Sequence, residues 1–370
     1  MPIPTPARAA MSRTGTSTPE ATNAAAAASS NVCSLRRASA RLRGRASGTR
    51  NVLSVHRLAN RNNAPYIRNR SVVPLIAHHV RLAERTSMTS PRFGIMTAPQ
   101  QVDYREIQRV WREADATPEI EHAWLFDHLI PIVGDVTGPV FEGWTLLSAL
   151  AVQTERLRLG IMVSSNRFRP PAMLAKIATT VDVVSGGRLD FGIGSGSRPG
   201  HPVARHEYDS NGLPFRDADY AVNSLAEACT IIRRLWTANE PFDFPGDYHQ
   251  LTAAFGNPKP VQRPYPPIVI GGRATATLRV VAEHADVWNI PGGDIDDATS
   301  RSALLDRFCG EIGRDPAAIT RSMVLPVSYE SPASTRTAIA EAVDAGFTHI
   351  VLLLSTPYPE MQWLTDEVIA

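Results

Sequence analysis

Two adjacent polar residues, Asp127 and His128, follow an apolar segment at residues 122–126. The imidazole of a histidine has a reference pKa of about 6.5, so it can take up and release protons near neutral pH. A carboxylate that holds such a ring makes it suitable as an acid–base catalyst. Alternatively, Asp127 caps a turn and His128 lies on the surface. The residue pattern alone leaves both interpretations open.

Small residues that follow three other apolar segments could bind an anion. One is the polar turn 164–167, and the others are Gly194-Ser195-Gly196 and Gly271-Gly272-Arg273. Backbone N–H groups and an arginine suit a phosphate, and a helix predicted to begin near Thr275 would direct its N-terminus to the same point. These loops suit a flat ring with a phosphate tail. A Gly-x-Gly pattern by itself also fits a tight exit from a strand.

The chain shows no metal-binding pattern. His201 and His206 are five positions apart in a proline-containing loop, which is the wrong spacing for one helical face, and no third ligand is near. The three cysteines, Cys33, Cys229 and Cys309, are far apart and odd in number, so they indicate neither a disulfide framework nor a metal site. A reducing compartment, the cytoplasm, is therefore expected.

The elements that would position these loops are clearest between residues 157 and 196. An apolar strand at 157–163, a helix at 171–184 and a second strand at 189–193 have the length of one parallel βαβ unit. Pro171 suits the first turn of this helix, and Gly186 and Gly187 suit its end. In parallel α/β folds, ligands lie at the carboxyl ends of the strands, where the candidate loops begin.

Strands and helices alternate eight times over about 280 residues, which predicts a TIM (β/α)8 barrel. An open doubly wound sheet is the weaker alternative, because Pro199 and Pro202 follow the glycines where a helix should begin and no GxGxxG spacing is present. Two irregular excursions, 199–215 and 237–267, would cover the C-terminal face. The predicted strands are 92–98, 122–126, 157–163, 189–193, 267–270, 286–290, 323–328 and 349–354. The predicted helices are 104–114, 143–153, 171–184, 218–236, 276–285, 299–312 and 334–345.

Charge divides the chain into two parts. Residues 1–87 contain 14 arginines, no lysine and two acidic residues, a net charge of +12, whereas the remainder carries −10. Their low complexity predicts disorder, so residues 88–370 are predicted to form the barrel. Residues 1–87 are interpreted as a start-site artefact, a transit-peptide-like leader or, with least support, a basic nucleic-acid arm. No apolar run approaches the ~20 residues of a membrane span.

Three separated motifs resemble the bacterial luciferase-like oxidoreductases. They are residues 169–196, with the pattern RxPxxLAKxxxTxDxxSxGRLxxGxGxG, residues 258–272, PKPVQRPYPPIVIGG, and residues 278–289, a helix that leads into DVWN. The resemblance covers the chain from about residue 92 onward. It implies a TIM barrel whose cofactor ring lies at the carboxyl end. The cofactor would be either the 8-hydroxy-5-deazaflavin coenzyme (coenzyme F-420), which we slightly prefer, or reduced FMN used with molecular oxygen.

The resemblance also implies roles for individual residues. In many deazaflavin-dependent members, an Asp-His pair ends the second strand, and its histidine is the acid–base residue. Here that pair is Asp127-His128. A bulge with a non-proline cis peptide would lie against the ring, and Asn166 and the glycine backbone after the fourth strand would line the cofactor channel. Arg167, Arg198 and Arg273 could hold an anionic tail. The candidate cofactor-binding residues are Ile161, Met162, Val163, Ser164, Asn166, Gly194, Ser195, Gly196, Gly271, Gly272 and Arg273.

The expected activity is hydride transfer between the deazaflavin and a small organic substrate, with His128 moving the proton and Asp127 orienting it. An FMN-dependent monooxygenase that consumes oxygen is the alternative. A barrel that only carries a flavin or metabolite is the alternative from another class. The expected partner is a small molecule, neither nucleic acid nor membrane, and a homodimer is left open.

Overall fold

The computed structural model describes residues 90–197, 200 and 203–370. The segment 1–87, for which the sequence predicts disorder, lies outside the described residues. Within the described part, eight parallel strands close into a barrel in the order β3-β2-β1-β8-β7-β6-β5-β4, and β3 also pairs with β4. The strands are β1 (Arg92–Thr97), β2 (Ile120–Leu125), β3 (Arg158–Ile161), β4 (Leu189–Gly194), β5 (Ile268–Gly271), β6 (Val287–Pro291), β7 (Thr320–Pro326) and β8 (His349–Leu354).

Closure of the sheet confirms the predicted TIM barrel and excludes the open doubly wound sheet. The closing pair is β3 with β4, in which Leu159 lies opposite Leu189 and Gly160 opposite Asp190. All six residues of β4 are buried, as expected for a parallel strand covered on both faces. This burial explains why the strands read as almost continuous apolar runs.

Helices follow the strands on the outside of the barrel, and their ends obey simple capping rules. Asp103, Glu142, Asp217 and Asp294 each accept a backbone N–H bond at a helix start. The helices are α1 (Tyr104–Ala116), α2 (Gly143–Ala151), α3 (Pro171–Val184), α4 (Ala204–Ser210), α5 (Ala218–Thr237), α6 (Thr275–His284), α7 (Ile295–Glu311), α8 (Pro332–Asp344) and α9 (Met361–Leu364); Pro316–Ala318 is a 3-10 turn and Thr365–Ile369 a π turn.

Several predicted boundaries were wrong. Helix α7 begins four residues before the predicted start, because the side chain of Asp294 caps it by accepting from the Asp297 N–H. Strand β3 ends at Ile161, two residues early, and Ser164–Ser165 then pairs separately with Ile193 and Gly194 on β4.

The two excursions are more regular than predicted. The first contains α4, and the second contains a hairpin of Phe242–Pro245 with Gln250–Ala254. Helix α4 has seven residues, ARHEYDS, with no apolar stripe to reveal it. Its buried residues include Glu207 and Tyr208, so tertiary contacts stabilise it rather than local propensity.

An apolar cluster fills the barrel interior. Its buried members are contributed by several strands and include Trp124, Phe126 and Met162. Phe126 and Met162 stand just beyond the ends of β2 and β3, so the upper surface of this cluster forms part of the site described below. In the described part of the chain, no helix is long and apolar enough to cross a membrane.

Candidate active site

A cavity of about 430 Å³ opens at the carboxyl ends of five neighbouring strands, β2 to β6. The sequence predicts chemistry at this face. Most predicted site residues line the cavity: Asp127, His128, Met162, Val163, Gly194, Ser195, Gly196, Gly271, Gly272 and Arg273. The lining also includes Phe126, Ser165, Phe168, Ser197, Ala274, Thr277 and Pro291, which were not predicted.

Three predicted cofactor-binding residues, Ile161, Ser164 and Asn166, are not among those that line the cavity. Ile161 is fully buried in the main core. Ser164 Oγ accepts a hydrogen bond from Trp144 Nε1 at 2.7 Å on the side facing α2. The Asn166 side-chain amide lies 3.0 Å from Ser224 Oγ of α5. Side chains do not alternate regularly in a bulged strand. These three side chains are buried behind the residues that line the cavity.

The bulge after β3 shapes one wall of the cavity. The peptide bond between Met162 and Val163 is cis, as the resemblance implies. Val163 then points towards the glycines of the two neighbouring strands. A Cβ atom on Gly194 would lie 2.7 Å from Val163 Cγ2, and one on Gly271 would lie 3.2 Å from the same methyl group. These glycines are therefore required by close packing against Val163.

His128 stands at the cavity wall with one ring nitrogen already engaged. Its side chain is 24% exposed, and its Nδ1 lies 3.0 Å from Glu207 Oε1. The backbone N–H of Leu129 donates to the same oxygen at 2.7 Å. The ring of Phe126 packs edge-on against His128 at 5.1 Å between centroids. Because Glu207 occupies Nδ1, Nε2 is the nitrogen that remains for chemistry.

Asp127 does not orient His128, and that prediction was wrong. The Asp127 carboxylate accepts two hydrogen bonds from Arg169, at 2.6 Å and 3.0 Å, and is 2% exposed. Arg169 also pairs with Glu142 at the N-terminus of α2. A bidentate arginine satisfies both oxygens of a buried carboxylate. The ion pair of Asp127 with Arg169 therefore stabilises the cavity wall between the carboxyl ends of β2 and β3.

Arg273 is the cation that the structure brings to the cavity. Within the described part of the chain its buried Nε has no hydrogen-bond partner, whereas its Nη2 donates to the Pro291 carbonyl at 3.4 Å and lies 3.5 Å from Asp297 Oδ2. Helix α6 begins two residues later and has no side-chain cap at Ala274, so its first N–H groups face the same region. A guanidinium group beside the N-terminus of a helix fits an anionic group.

Arg167, which the sequence also suggested for an anionic tail, is used within the protein. It donates to the carbonyl of Ser197 at 2.6 Å and to that of Arg216 at 3.1 Å. Its guanidinium lies 4.6 Å from the centre of the Tyr208 ring. Arg198 lies outside the described residues, as does His201.

A closed parallel barrel with a cavity at its strand ends and an ionisable ring in the cavity wall has the architecture of a TIM-barrel enzyme. The family model of luciferase-like monooxygenases matches residues 84–359, and the chain belongs to this family of oxidoreductases. Its structural neighbours include two F420-dependent enzymes and a riboflavin lyase solved with a modified FMN.

Individual relatives show how widely activities vary around this fold. An uncharacterized protein of Mycobacterium tuberculosis is 33% identical over 176 residues, 48% of this chain and 57% of that protein. Pyrimidine monooxygenase RutA of Acinetobacter baylyi is 26% identical over 200 residues, 53% of this chain and 52% of that protein. The chain thus spans about half the length of these curated relatives. A solved F420-dependent secondary alcohol dehydrogenase, in complex with an F420-acetone adduct, superposes with a TM-score of 0.65 at 16% identity, covering 76% of this chain and 99% of that one.

Proposed function

We propose that this enzyme transfers a hydride between the deazaflavin coenzyme and a small organic substrate, with His128 as the proton carrier. The observation that carries the proposal is the pairing of His128 Nδ1 with a buried carboxylate, which leaves Nε2 at the cavity. The solved alcohol dehydrogenase with its F420 adduct shares this fold and supports the choice of cofactor.

The residues present fit a flat ring with an anionic tail. Phe126, Met162 and Val163 offer apolar surface near His128. Gly271, Gly272 and Arg273 lie at the end of β5, where the buried Arg273 Nε has no hydrogen-bond partner among the residues that the structure describes. Apolar surface for the ring and an arginine for the tail match the general form of cofactor sites. When bound, the deazaflavin would supply the hydride or accept it.

The chemistry of the protein itself is proton transfer and exclusion of water. In substrate oxidation, Nε2 of neutral His128 accepts the proton that leaves with the hydride. In substrate reduction, the protonated ring returns that proton. Glu207 accepts a hydrogen bond from Nδ1–H and stabilises the ring while it is charged. Phe126 and Phe168 cover the wall around His128, which limits access of water to the reacting groups.

An FMN-dependent monooxygenase is the second candidate, because the pyrimidine monooxygenase matches half of this chain. The presence of an acid–base histidine at the cavity favours hydride transfer, since a hydride that leaves the carbon of an alcohol, or adds to that of a carbonyl, needs a matching proton transfer at the oxygen. A barrel that merely carried a flavin or metabolite would need no such histidine. We propose a small-molecule substrate and a cytoplasmic location, and a homodimer stays a prediction.

Titration of the full chain with each cofactor tests the proposal. Trp124 is fully buried in the cluster beneath the cavity, so quenching of tryptophan fluorescence reports a bound ring. Tight binding of the deazaflavin alone is the expected result. Tight binding of FMN alone would overturn hydride transfer in favour of the oxygen-consuming alternative. If neither cofactor quenched the fluorescence, both candidates would fail.

A second titration compares the full chain with a variant that begins at Met88. The family match starts at residue 84 and the described structure at residue 90, so we propose that the barrel alone holds the cofactor. Both proteins are expected to bind the deazaflavin equally well. Loss of cofactor binding in the shortened chain would show that residues 1–87 contribute to the site.

A further inference from the structure

We propose that Glu207 is the positioning residue of the reaction: it selects the tautomer of His128 and so directs the Nε2 lone pair into the cavity. This inference rests on the proposed function for its kinetic consequence. Its structural content stands on the contacts of one carboxylate, which lies on α4 in the first excursion and outside the three sequence motifs described above.

Burial makes the contact between Glu207 and His128 energetically important. The Glu207 side chain is fully buried, whereas that of His128 is 24% exposed towards the cavity. In the described part of the chain, the hydrogen-bond partners of the Glu207 carboxylate are the His128 ring and the Leu129 backbone N–H. A buried carboxylate is costly unless it is paired and hydrogen-bonded. Glu207 therefore holds the imidazole firmly in one orientation.

The tautomer follows from the donors and acceptors available. The Leu129 N–H can only donate, so Glu207 Oε1 acts as an acceptor in that contact. An ionised carboxylate accepts only, so His128 must carry its proton on Nδ1 to donate across the 3.0 Å contact. Neutral His128 then presents an unprotonated Nε2, which is the state that a general base requires.

Tyr208, the next residue of α4, contacts the residues that follow β3 on another side of the cavity. The Tyr208 hydroxyl and Ser165 Oγ form a hydrogen bond of 3.0 Å in the loop after β3. The Tyr208 ring packs against Phe168 with 5.2 Å between centroids. Burial raises the pKa of Tyr208, so its hydroxyl stays protonated. Glu207 and Tyr208 thus attach α4 to the loops after β2 and β3, and the first excursion sets the geometry of the reacting face.

The decisive experiment measures the tautomer directly. The full chain, with ¹⁵N-labelled histidines, is studied by long-range ¹H–¹⁵N NMR at a pH where the His128 ring is neutral. The sequence has ten histidines, and the His128→Gln variant identifies the signals of His128. A protonated Nδ1 and an unprotonated Nε2 are expected. A protonated Nε2 in the wild-type protein would overturn the inference without any need for a Glu207 variant.

Two matched variants test the cause. Glu207→Leu removes the acceptor, so His128 is expected to return to the Nε2–H tautomer that a free neutral histidine prefers in water. Glu227→Leu is the control, because Glu227 also lies in a helix and accepts three backbone N–H bonds, from Asp247, Tyr248 and His249. Its loss should leave the His128 signals unchanged. An unchanged tautomer in Glu207→Leu would refute the proposed role.

Kinetics separate positioning from simple support of the wall. With the deazaflavin as cofactor, Glu207→Leu is expected to lower kcat about 10²-fold while KM and the cofactor Kd change less than about 3-fold. A rise in KM and Kd with unchanged kcat would show that Glu207 only shapes the cavity, and would overturn the inference. If the deazaflavin did not bind at all, the proposed function would fail, but the NMR result would still decide the tautomer.

Discussion

The imidazole rings of His122 and His349 stack face to face inside the barrel, with 3.9 Å between their centroids. Trp124 Nε1 donates to His122 Nδ1 at 2.7 Å, and His349 Nδ1 lies 2.8 Å from Ser322 Oγ. Burial is the main cause, and the charge of Arg92 the next, of a low pKa of about 3 for His349. Burial, together with the charge that His349 would carry, holds the pKa of His122 well below its usual range. Both rings are therefore neutral in the folded protein at neutral pH.

This stacked pair predicts a loss of stability on mild acidification. The unfolded chain binds a proton on each histidine near pH 6.5, whereas the folded chain does not do so until far lower pH. Between those values the unfolded state holds more protons, so stability falls as the pH falls. Each ring should lower the free energy of unfolding by about 1 kcal/mol between pH 6.5 and 5.5. Urea unfolding at these two pH values measures the change.

The His349→Asn variant isolates the contribution of one ring. The shorter amide can still bond to Ser322, but it does not titrate. The loss between pH 6.5 and 5.5 should then be smaller by about 1 kcal/mol than in the wild-type protein. The same pH dependence in both proteins would show that the folded state protonates His349 without cost, against the geometry seen here.

Replacement of His128 should remove the proton carrier but leave the cofactor site intact. In His128→Gln, kcat is expected to fall about 10²- to 10⁴-fold, the usual contribution of a general acid–base residue. The deazaflavin Kd should change less than about 3-fold, because the proposed contacts of the cofactor tail, Gly271 and Arg273, lie at the end of another strand. His206→Gln is the matched control, since His206 is exposed on the outer side of α4. A fully active His128→Gln enzyme would remove this histidine from the mechanism.

Much of the barrel could be predicted from the sequence, because a parallel strand buried on both faces is a nearly continuous run of apolar residues. His349–Leu354 was predicted without error in either boundary. Pro171–Val184 was likewise predicted without error, because Pro171 and Gly186 mark its ends. The second excursion was harder to predict. Its prolines and glycines suggested a loop, but Pro245 ends the first strand of a short hairpin and Gly246 begins the turn. Its strands are stabilised by contacts that no local pattern reveals.

The partners of the candidate catalytic residues could not be predicted in the same way. Asp127 and His128 are neighbours in sequence, so a direct interaction was the natural hypothesis. The structure instead pairs Asp127 with Arg169 and His128 with Glu207, which is 79 positions away. Contacts of this kind depend on which loops meet above the barrel. Arg169 stands in a family motif and could have been suspected, whereas nothing local distinguished Glu207 from other acidic residues.

Close packing around Val163 makes Gly194 sensitive to substitution. In Gly194→Ala, the new methyl group would lie 2.7 Å from Val163 Cγ2, so the wall of the cavity must shift. We expect cofactor binding to weaken about 10-fold or more, because overpacking commonly costs 1–3 kcal/mol. Fluorescence titration measures the change, and the double variant with Val163→Ala should recover most of the affinity.

A second glycine provides the control for this substitution. Gly310 lies in helix α7, and a methyl group there would meet no atom within 4 Å. Gly310→Ala should leave cofactor binding unchanged and should not lower stability, since Gly310 lies in the last turn of the helix, where alanine is also favoured over glycine. If Gly194→Ala behaved like Gly310→Ala, the packing argument for the glycines of the cavity would be wrong.

Arg273 should recognise the anionic tail of the cofactor rather than its ring, because it lies beside the start of α6 and its buried Nε has no partner among the described residues. In Arg273→Ala, the Kd of the deazaflavin should rise about 10-fold, the lower range for a lost charged hydrogen bond, since Asp297 already draws part of the charge. The same ring without its phosphate tail should bind wild type and variant equally, so the preference for the phosphorylated form shrinks. Arg279→Ala, which removes an exposed arginine paired with Glu311 on the outside of the barrel, is the control and should change neither affinity. Equal losses for both forms of the cofactor in Arg273→Ala would mean that this arginine supports the wall and does not bind the tail.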